Sequence, residues 1–319
     1  MKFIIIKAPA KVNLYLDVLN KRPDGYHNIE TIFERIDLYD WVKITIIPKG
    51  IKITCNKNLN TPNKHNTVYK AAEFLIDRYN LNCGFRIDID KRIPIAAGLG
   101  GGSSDAAAVL IGINKLLNLK LSRPAFVSLG DRIGADVPFF VSGYKRAFAT
   151  GTGERLKALS HAQKLHFLII YPNIGISTAY IYNNTNVSAS LNISPVLRQA
   201  QHGSKHGEQG RTKLISRRTN LGLTKKRQNA NIARSYLGNL STFNIKHILF
   251  NKLEEVILPS YPALRDVKTA LKTTGAEGVL VSGSGSAVFG IYKSRRGVFR
   301  AESKLNKKGN WQLFSARSC

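Results

Sequence analysis

The residues best suited to chemistry lie at 94–108, where the chain reads PIAAGLGGGSSDAAA. Glycine reaches positive φ without a steric penalty and leaves its backbone N–H group uncovered. An apolar pattern at helical spacing follows, so the loop leads directly into a helix N-terminus, whose unpaired N–H groups and partial positive charge attract phosphate. The segment therefore predicts a phosphate-binding loop.

The loop departs from two common nucleotide-binding patterns. A Walker A loop carries a lysine after its last glycine, and no lysine follows these glycines. A dinucleotide fingerprint needs a third glycine at a fixed spacing, where this chain has Ser103 or Asp105, depending on the glycine that starts the count. A flexible linker or a structural turn is the alternative, although linkers rarely open into a strongly patterned helix.

Two further groups could act beside such a loop. Lys11 lies among small and apolar neighbours in a predicted strand, where the ordinary interpretation is a solvated strand face. Asp136 stands between small residues and a bulky apolar run, and a carboxylate on a buried side needs a partner. A helix cap or a structural salt bridge is the alternative for Asp136. The pair Tyr26 and His27 follows a turn signal and is consistent with ordinary loop residues.

Apolar periodicity predicts the elements that position these groups. Alternation predicts strands at 3–6, 12–17 (with one polar face), 31–36, 41–47, 51–55 and 85–90, the last of which delivers the chain to the glycine loop. Helical stripes predict helices at 68–79, after the loop to about 117, and from 122 to near 134. A second domain is predicted from 167–171 onward, with strands at 278–282, 287–292 and 312–316 and helices at 177–182, 263–273 and 294–305. The glycine–serine loop at 283–286 predicts a hairpin turn, or packing beside the first loop.

Composition bounds the class of protein. The 319 residues suffice for two domains, and no apolar run approaches the roughly 18–20 residues of a membrane span. Three distant cysteines form neither a metal-type spacing nor an even disulfide framework, which predicts a cytoplasmic location. No transit segment is evident, so a plastid stroma is left open only for a mature form. The net charge of +28 predicts attraction to polyanions or anionic substrates, and residues 195–233 are interpreted as a flexible basic insertion.

Five motifs in order resemble those of the GHMP kinase superfamily. They are PAKVNL at 9–14, DGYH at 24–27, the glycine loop, GADVP at 134–138 and SGSGS at 282–286. The resemblance covers nearly the whole chain outside the basic insertion. It implies an α+β fold of two domains, a ribosomal-S5-like N-terminal domain at 1–162 and a ferredoxin-like C-terminal domain at 163–319, with the active site in the cleft between them.

The resemblance also implies an ATP-dependent small-molecule kinase with Mg²⁺ as cofactor. Asp136 matches the general base and Lys11 the residue that keeps it ionised and orients the acceptor hydroxyl, because an opposite charge nearby favours the carboxylate. Ser104 is the implied hydroxyl near the metal. Asn66 and Lys91 match positions near the adenine and ribose. The phosphates would contact the loop residues Pro94, Ile95, Ala96, Ala97, Gly98, Leu99, Gly100, Gly101, Gly102, Ser103 and Ser104.

The DGYH element narrows the implied acceptor to a cytidine diphosphate sugar alcohol used in isoprenoid precursor biosynthesis. By resemblance, Tyr26 stacks on cytosine, His27 reads its edge, Tyr182 supplies the second aromatic ring and Asn13 contacts the substrate. Asp105 departs from some relatives, which have asparagine. Beside a phosphate it would have to point away as a helix cap or bind metal.

Two competing hypotheses stay open. Another GHMP kinase, acting on homoserine, mevalonate or a sugar, would keep the glycine loop but would not need Tyr26 and His27. An RNA-binding or structural protein with a kinase-like core would explain the charge, and a steep salt dependence of binding would favour it. The intact Lys11 and Asp136 argue against that hypothesis. We expect no membrane or nucleic-acid partner, and either a monomer or a homodimer.

Overall fold

Two β-sheets organise the chain. The structure, a computed structural model, describes residues 2–58, 65–159, 164–187, 248–306 and 310–319. A long antiparallel pair, β1 (Phe3–Lys21) and β2 (His27–Ile47), forms the centre of the first sheet. The other strands in the described part of this sheet are β3 (Ile51–Cys55), β4 (Gly84–Asp90), β5 (Arg146–Thr150), β6 (Arg155–Ala158) and β8 (Phe250–Asn251).

Four helices accompany the first sheet. They are α1 (Thr67–Tyr79), α2 (Gly101–Leu117), α3 (Arg123–Asp131) and the short α4 (Val137–Val141). Asn66 caps α1, since its side-chain oxygen accepts the backbone N–H of Val68 at 2.9 Å. The apolar stripes of α1 and α2 meet in one core cluster with β2 and β4, so both predicted stripes do pack inward. The predictions missed α4, β5 and β6, which are too short for periodicity to reveal.

The second sheet has four antiparallel strands in the order β11-β7-β10-β9. Its strands are β7 (His166–Tyr171), β9 (Gly278–Val281), β10 (Val288–Tyr292) and β11 (Gln312–Arg317). The helices in the described part of this half are α5 (Thr178–Asn183), α6 (Glu254–Ser260), α7 (Ala263–Thr273) and α8 (Arg295–Leu305). Taken with α7 and α8, the strands follow the β-α-β-β-α-β connection of a ferredoxin-like domain, as expected.

The first two strands correct the sequence prediction. Residues 3–21 form one strand rather than two, and 27–47 form one strand with an irregularity where Ala10 pairs with Ile36 and Pro9 with Tyr39. All residues from Ala10 to Leu16 are buried, so the predicted polar face of β1 is not solvated. The reason is that Phe33 of β2 and the two glycine-rich loops cover the side that the alternation indicated as wet, while the second domain packs on the apolar side of the strand.

The two halves interlock through β8. The predicted boundary at 162/163 falls between β6 and β7, but β8 comes from the second half and pairs with β1 in the first sheet. The division at that residue therefore stays a prediction. The basic insertion at 195–233 lies outside the described residues. Among the helices that the structure does describe, none combines the length and apolar character needed to cross a bilayer.

Candidate active site

A cleft of about 920 Å³ lies between the two sheets. The glycine loop, the motif residues of β1 and the turn before β2 line it from the first domain. Residues of α5 and of the β9–β10 turn line it from the second. Every residue predicted for the site lines this cleft except Ser104, which is buried.

The glycine loop is held by backbone contacts on two sides. Ala96, Gly98 and Gly100 all have positive φ, at 52°, 73° and 71°. The Lys11 N–H donates to the Leu99 carbonyl at 3.0 Å, which fixes the loop to β1. This conformation leaves the loop backbone facing the cleft, at the N-terminus of α2. The arrangement suits phosphate oxygens.

The second glycine–serine loop supports the first. Ser282 Oγ donates to the Gly98 carbonyl at 2.9 Å, and the Ala287 N–H donates to the Ala97 carbonyl at 3.1 Å. The segment is also the turn of the antiparallel β9–β10 pair. The segment is therefore both a hairpin turn and a support for the first loop, as the two sequence interpretations predicted. The second domain contacts the glycine loop through this turn.

Gly98→Ala is expected to lower the free energy of unfolding by about 3 kcal/mol, from left-handed backbone strain plus overpacking. An added Cβ would overlap the carbonyl oxygen of Ser282 across the domain junction. The matched control is Gly102→Ala, because a Cβ there meets Thr67 Oγ1 at an ordinary 3.6 Å. Urea denaturation of both variants checks the prediction. Equal stability of the two variants would contradict it.

Lys11 and Asp136 meet inside the cleft. Lys11 Nζ lies 3.4 Å from Asp136 Oδ2, with the lysine side chain 5% and the aspartate side chain 29% exposed. Asp136 occupies the N-cap position of α4, but its side chain makes no capping hydrogen bond. The helix-cap interpretation of Asp136 and the solvated-face interpretation of Lys11 are therefore wrong. The carboxylate is open to the cleft and next to a buried cation.

Arg35 on β2 holds the helix that carries Asp136. Its Nη2 donates to the Phe139 and Phe140 carbonyls, both at 3.2 Å, near the C-terminal end of α4. The guanidinium also lies 5.4 Å from the Phe139 ring centroid. Burial lowers the pKa of Arg35, yet an arginine stays charged in proteins and keeps both hydrogen bonds. The position of α4 is thus set from the centre of the first sheet.

Lys91 lies beneath the glycine loop in a buried ion triad. Its Nζ contacts Asp40 Oδ2 at 2.5 Å and Asp105 Oδ2 at 2.6 Å. Asp40 Oδ1 also accepts the backbone N–H groups of Arg92 at 2.6 Å and Ile93 at 2.7 Å. The triad joins β2 to the residues just before the loop and to the helix just after it. Asp105 therefore pairs with a lysine, and the expectation of a helix cap was wrong, while a contact with metal stays a prediction.

The charges of the triad shift one another's pKa values. Burial by itself would lower the pKa of Lys91, but Asp105 and Asp40 outweigh it and raise that pKa. Burial raises the pKa of Asp105 to about 7, with Lys91 opposing and Asp40 adding to the effect. The lysine predicted near adenine and ribose is thus fully charged and already paired. A contact with the nucleoside stays a prediction.

The two predicted asparagines already have protein partners. Asn66 uses its side-chain oxygen as the cap of α1. Asn13, only 3% exposed, accepts from Lys11 Nζ at 2.6 Å and donates to Thr31 Oγ1 at 2.8 Å. Both residues line the cleft, so their predicted ligand contacts stay predictions.

The DGYH turn places two rings at the cleft. Tyr26 is 63% exposed, and its backbone N–H donates to Asp24 Oδ1 at 3.1 Å. His27 is buried, and its ring centroid lies 5.6 Å from that of Tyr182 in α5. Burial, with the charge of Lys21, lowers the pKa of His27, so a neutral imidazole with one donor and one acceptor faces the cleft at neutral pH. Burial, with the charge of Asp136, raises the pKa of Tyr182.

Ser104 fits one part of a magnesium site. Its Oγ is buried and has no hydrogen-bond partner among the described residues, which leaves an oxygen for a ligand. No cluster of three or more His, Cys, Asp or Glu side chains suited to a metal occurs in the described part of the chain. Mg²⁺ commonly keeps waters and takes most other ligands from substrate phosphates, so these residues fit an ion brought in with a nucleotide.

Several cleft residues escaped the sequence analysis. Thr178 of α5 and Ser284 of the β9–β10 turn share a hydroxyl–hydroxyl hydrogen bond of 2.8 Å. Ser284 lies in a loop whose composition was a usable signal, but nothing in the sequence marks Thr178. His65 also lines the cleft, in the connection before α1.

Comparison with known proteins defines the class. The family model for the GHMP kinases N terminal domain matches residues 66–144, and that for GHMP kinases C terminal matches residues 227–310. These matches agree with the glycine loop of the first domain and the ferredoxin-like second domain. The class is that of the GHMP kinases, enzymes that use ATP.

Individual relatives give a finer assignment. The 4-diphosphocytidyl-2-C-methyl-D-erythritol kinase of Geobacter metallireducens is 37% identical over 100% of this chain and 99% of its own length. A crystal structure of 4-(cytidine 5'-diphospho)-2C-methyl-D-erythritol kinase is 29% identical, with a TM-score of 0.69 over 99% of this chain and 100% of that chain. The Methanococcus jannaschii mevalonate kinase, at 18% identity and a TM-score of 0.66 over 100% and 99% of the two chains, shares the fold. The chain belongs to the 4-diphosphocytidyl-2-C-methyl-D-erythritol kinase family of GHMP kinases.

Proposed function

We propose that the chain transfers the γ-phosphoryl group of ATP to the 2-hydroxyl of 4-diphosphocytidyl-2-C-methyl-D-erythritol, a step of isoprenoid precursor biosynthesis. The observation that carries the proposal is the Lys11–Asp136 pair, 3.4 Å apart in a cleft that the glycine loop, Tyr26 and His27 also line. The full-length relatives named for that substrate support the same acceptor.

Asp136 acts as the general base. Its carboxylate accepts the proton of the acceptor hydroxyl while the hydroxyl oxygen bonds to the γ-phosphorus, and the bond from that phosphorus to the β–γ bridging oxygen breaks. ADP carries away the electron pair. Lys11 orients the hydroxyl and balances the charge of the carboxylate. The N–H groups of the glycine loop and of the α2 N-terminus donate hydrogen bonds to the phosphate oxygens, in place of the lysine of a Walker A loop.

Mg²⁺ is part of this proposal. Ser104 Oγ would be its ligand from the protein, with nucleotide phosphates and waters completing the shell. A bound ion would supply neutralisation of the charge on the transferred group. The buried, unpartnered hydroxyl of Ser104 supports this assignment.

Recognition of the acceptor is assigned to the two rings of the DGYH turn and to Tyr182. Tyr26 offers an exposed ring face at the cleft, which suits stacking on cytosine. A neutral His27 can donate to and accept from the polar edge of the base. Tyr182 comes from the second domain, so the cytosine end would be held between the domains.

Tyr26→Ala is expected to raise KM for the acceptor roughly 5- to 100-fold, because base–aromatic stacking is worth about 1–3 kcal/mol. KM for ATP should stay within about twofold, since the ring does not belong to the phosphate loop. Tyr180→Ala is the matched control: Tyr180 is 47% exposed on α5 but does not line the cleft. Steady-state kinetics with each substrate varied in turn checks the split. An equal effect of the two variants would remove Tyr26 from the acceptor site.

The proposed function is tested by coupling ADP release to an assay with 4-diphosphocytidyl-2-C-methyl-D-erythritol, beside homoserine and mevalonate. Mass spectrometry of the product identifies the phosphorylated compound. We expect turnover with the cytidylyl acceptor and competition by CDP. Turnover with homoserine or mevalonate alone, without inhibition by CDP, would establish the other GHMP kinase hypothesis instead.

A further inference from the structure

We propose that Thr31 positions the Lys11–Asp136 pair for catalysis and acts through Asn13. The proposal rests on the proposed function only in taking Asp136 as the general base. Thr31 lies in β2, is 0% exposed and does not line the cleft, and its hydroxyl already bonds two protein groups. Its effect must therefore pass through other side chains.

Two consecutive hydrogen bonds connect Thr31 to the catalytic lysine, and a third anchors Thr31 to the backbone of β1. Thr31 Oγ1 donates to the Tyr15 carbonyl at 2.6 Å and accepts from Asn13 Nδ2 at 2.8 Å. Asn13 Oδ1 accepts from Lys11 Nζ at 2.6 Å, and that ammonium lies 3.4 Å from Asp136. Lys11, Asn13 and Thr31 are all less than 5% exposed, so water does not compete for these bonds.

The direction of each bond follows from the inventory of donors and acceptors. A threonine hydroxyl has one proton, and the Tyr15 carbonyl takes it, so Thr31 can only accept from Asn13. Asn13 must then turn its NH₂ group toward Thr31 and its oxygen toward Lys11. That orientation is the one a lysine needs, because an ammonium has three donors and no acceptor. The hydroxyl of Thr31 thus selects the amide orientation that holds Lys11.

Strand geometry explains why these residues meet. Lys11 and Asn13 are two positions apart on β1 and share a face of the sheet. Asn13 pairs with Phe33 on β2, so Thr31, two positions from Phe33, is its diagonal neighbour on that face. A register shift follows Asn13 in β1, where residue 14 has no partner across the pair. Phe33 also lies under the lysine, with Nζ 5.4 Å from its ring centroid.

Loss of the hydroxyl would release the amide of Asn13. With valine at position 31, Asn13 Nδ2 would be left buried beside a methyl group without an acceptor. The amide would then shift toward another acceptor and withdraw its oxygen from Lys11, and the ammonium would move away from its place beside Asp136. Because Thr31 itself contacts no ligand, the loss should fall on the chemical step, with any effect on binding confined to an acceptor that contacts Asn13.

The test compares Thr31→Val, which keeps the shape, with Thr31→Ser, which keeps the hydroxyl. We expect Thr31→Val to lower kcat roughly tenfold to thirtyfold, the scale of one buried hydrogen bond to a charged network, with KM for ATP within about twofold. Thr31→Ser should restore kcat to within about threefold of the wild type. Thr45→Val is the matched control, because Thr45 is equally buried on β2 and its hydroxyl has no hydrogen-bond partner among the described residues.

Each outcome decides for or against the positioning role. A kcat of Thr31→Val within twofold of the wild type would overturn it, as would a Thr31→Ser variant as slow as Thr31→Val. If the wild type phosphorylates a different acceptor, the proposed function is wrong. The Thr31 variants are then compared with that acceptor, and the positioning role is tested as before. A crystal structure of Thr31→Val gives an answer without any acceptor. We expect Asn13 to have turned and the Lys11–Asp136 contact to be broken, and an unchanged contact would refute the inference.

Discussion

Asp136→Asn is expected to lower kcat at least about a hundredfold, the scale of one general base. Asparagine keeps the volume of the side chain but cannot accept the proton of an acceptor hydroxyl at neutral pH. KM for ATP should stay within about threefold, because the glycine loop is held by the backbone N–H groups of Lys11 and Ala287 and by the hydroxyl of Ser282 rather than by Asp136. The measurement is steady-state kinetics with the acceptor and ATP varied separately.

The fold of this variant should be intact. Asp136 makes no capping hydrogen bond to α4, and Lys11 keeps its hydrogen bond to Asn13. We therefore expect the free energy of unfolding to fall by no more than about 1 kcal/mol. Asp131→Asn is the control, since Asp131 is an exposed carboxylate at the end of α3 and does not line the cleft. If Asp136→Asn kept kcat within fivefold of the control, the base would have to be another group.

Lys91→Met is expected to lower the free energy of unfolding by about 3–5 kcal/mol, the scale of breaking one side of a buried ion pair. The substitution leaves Asp40 and Asp105 facing each other, although they are 0% and 2% exposed. Removing Asp105 as well, in a Lys91→Met/Asp105→Asn double variant, should recover at least half of the loss. Lys52→Met, at an exposed lysine of β3, controls for loss of a positive charge. Urea denaturation of these variants gives the comparison, and a loss below 1 kcal/mol for Lys91→Met would contradict it.

The Lys91→Met/Asp105→Asn double variant also tests whether Lys91 contributes to nucleotide binding through the phosphates or through the nucleoside. A Cβ at Gly101 would lie 2.9 Å from Lys91 Nζ, so the ammonium supports the start of α2 from directly beneath. If that support is its role, the double variant should weaken ATP and inorganic tripolyphosphate by the same factor, because both bind the loop through phosphate. If Lys91 instead contacts adenine or ribose, only ATP should weaken. Inhibition constants of tripolyphosphate, measured against ATP, separate the two.

Local patterns in the sequence predicted much of the fold and the location of the phosphate loop. The helix stripe of α1 and the alternation of β4 hold in the structure, because each element buries one face against the same core. The glycine run from Gly98 was informative because positive φ and uncovered N–H groups are properties of the residue type. The DGYH and PAKVNL motifs indicated the family, which the comparisons bear out.

Prediction from sequence failed for residues whose burial or pairing depends on elements that are distant along the chain. β1 alternates like a half-exposed strand, yet Lys11 and Asn13 on its polar face are buried against Phe33 and the two glycine-rich loops. Asp105 was not expected to pair with a lysine, since nothing local shows that Lys91 and Asp40 come together beneath it. Thr31 carried no signal, because a threonine in a strand is ordinary until its neighbours are known.

By itself the sequence determined most of the helices and strands, the position of the glycine loop before α2 and the family to which the chain belongs, because those properties reside in short runs of residues. Only the tertiary structure decided that Lys11 lies 3.4 Å from Asp136, that His27 meets Tyr182, and that the amide of Asn13 bonds both Lys11 and a buried threonine. The physical reason is that periodicity reports how one element divides its faces. Charge pairing and hydrogen bonding in a cleft depend on which faces the fold brings together from elements far apart in the chain.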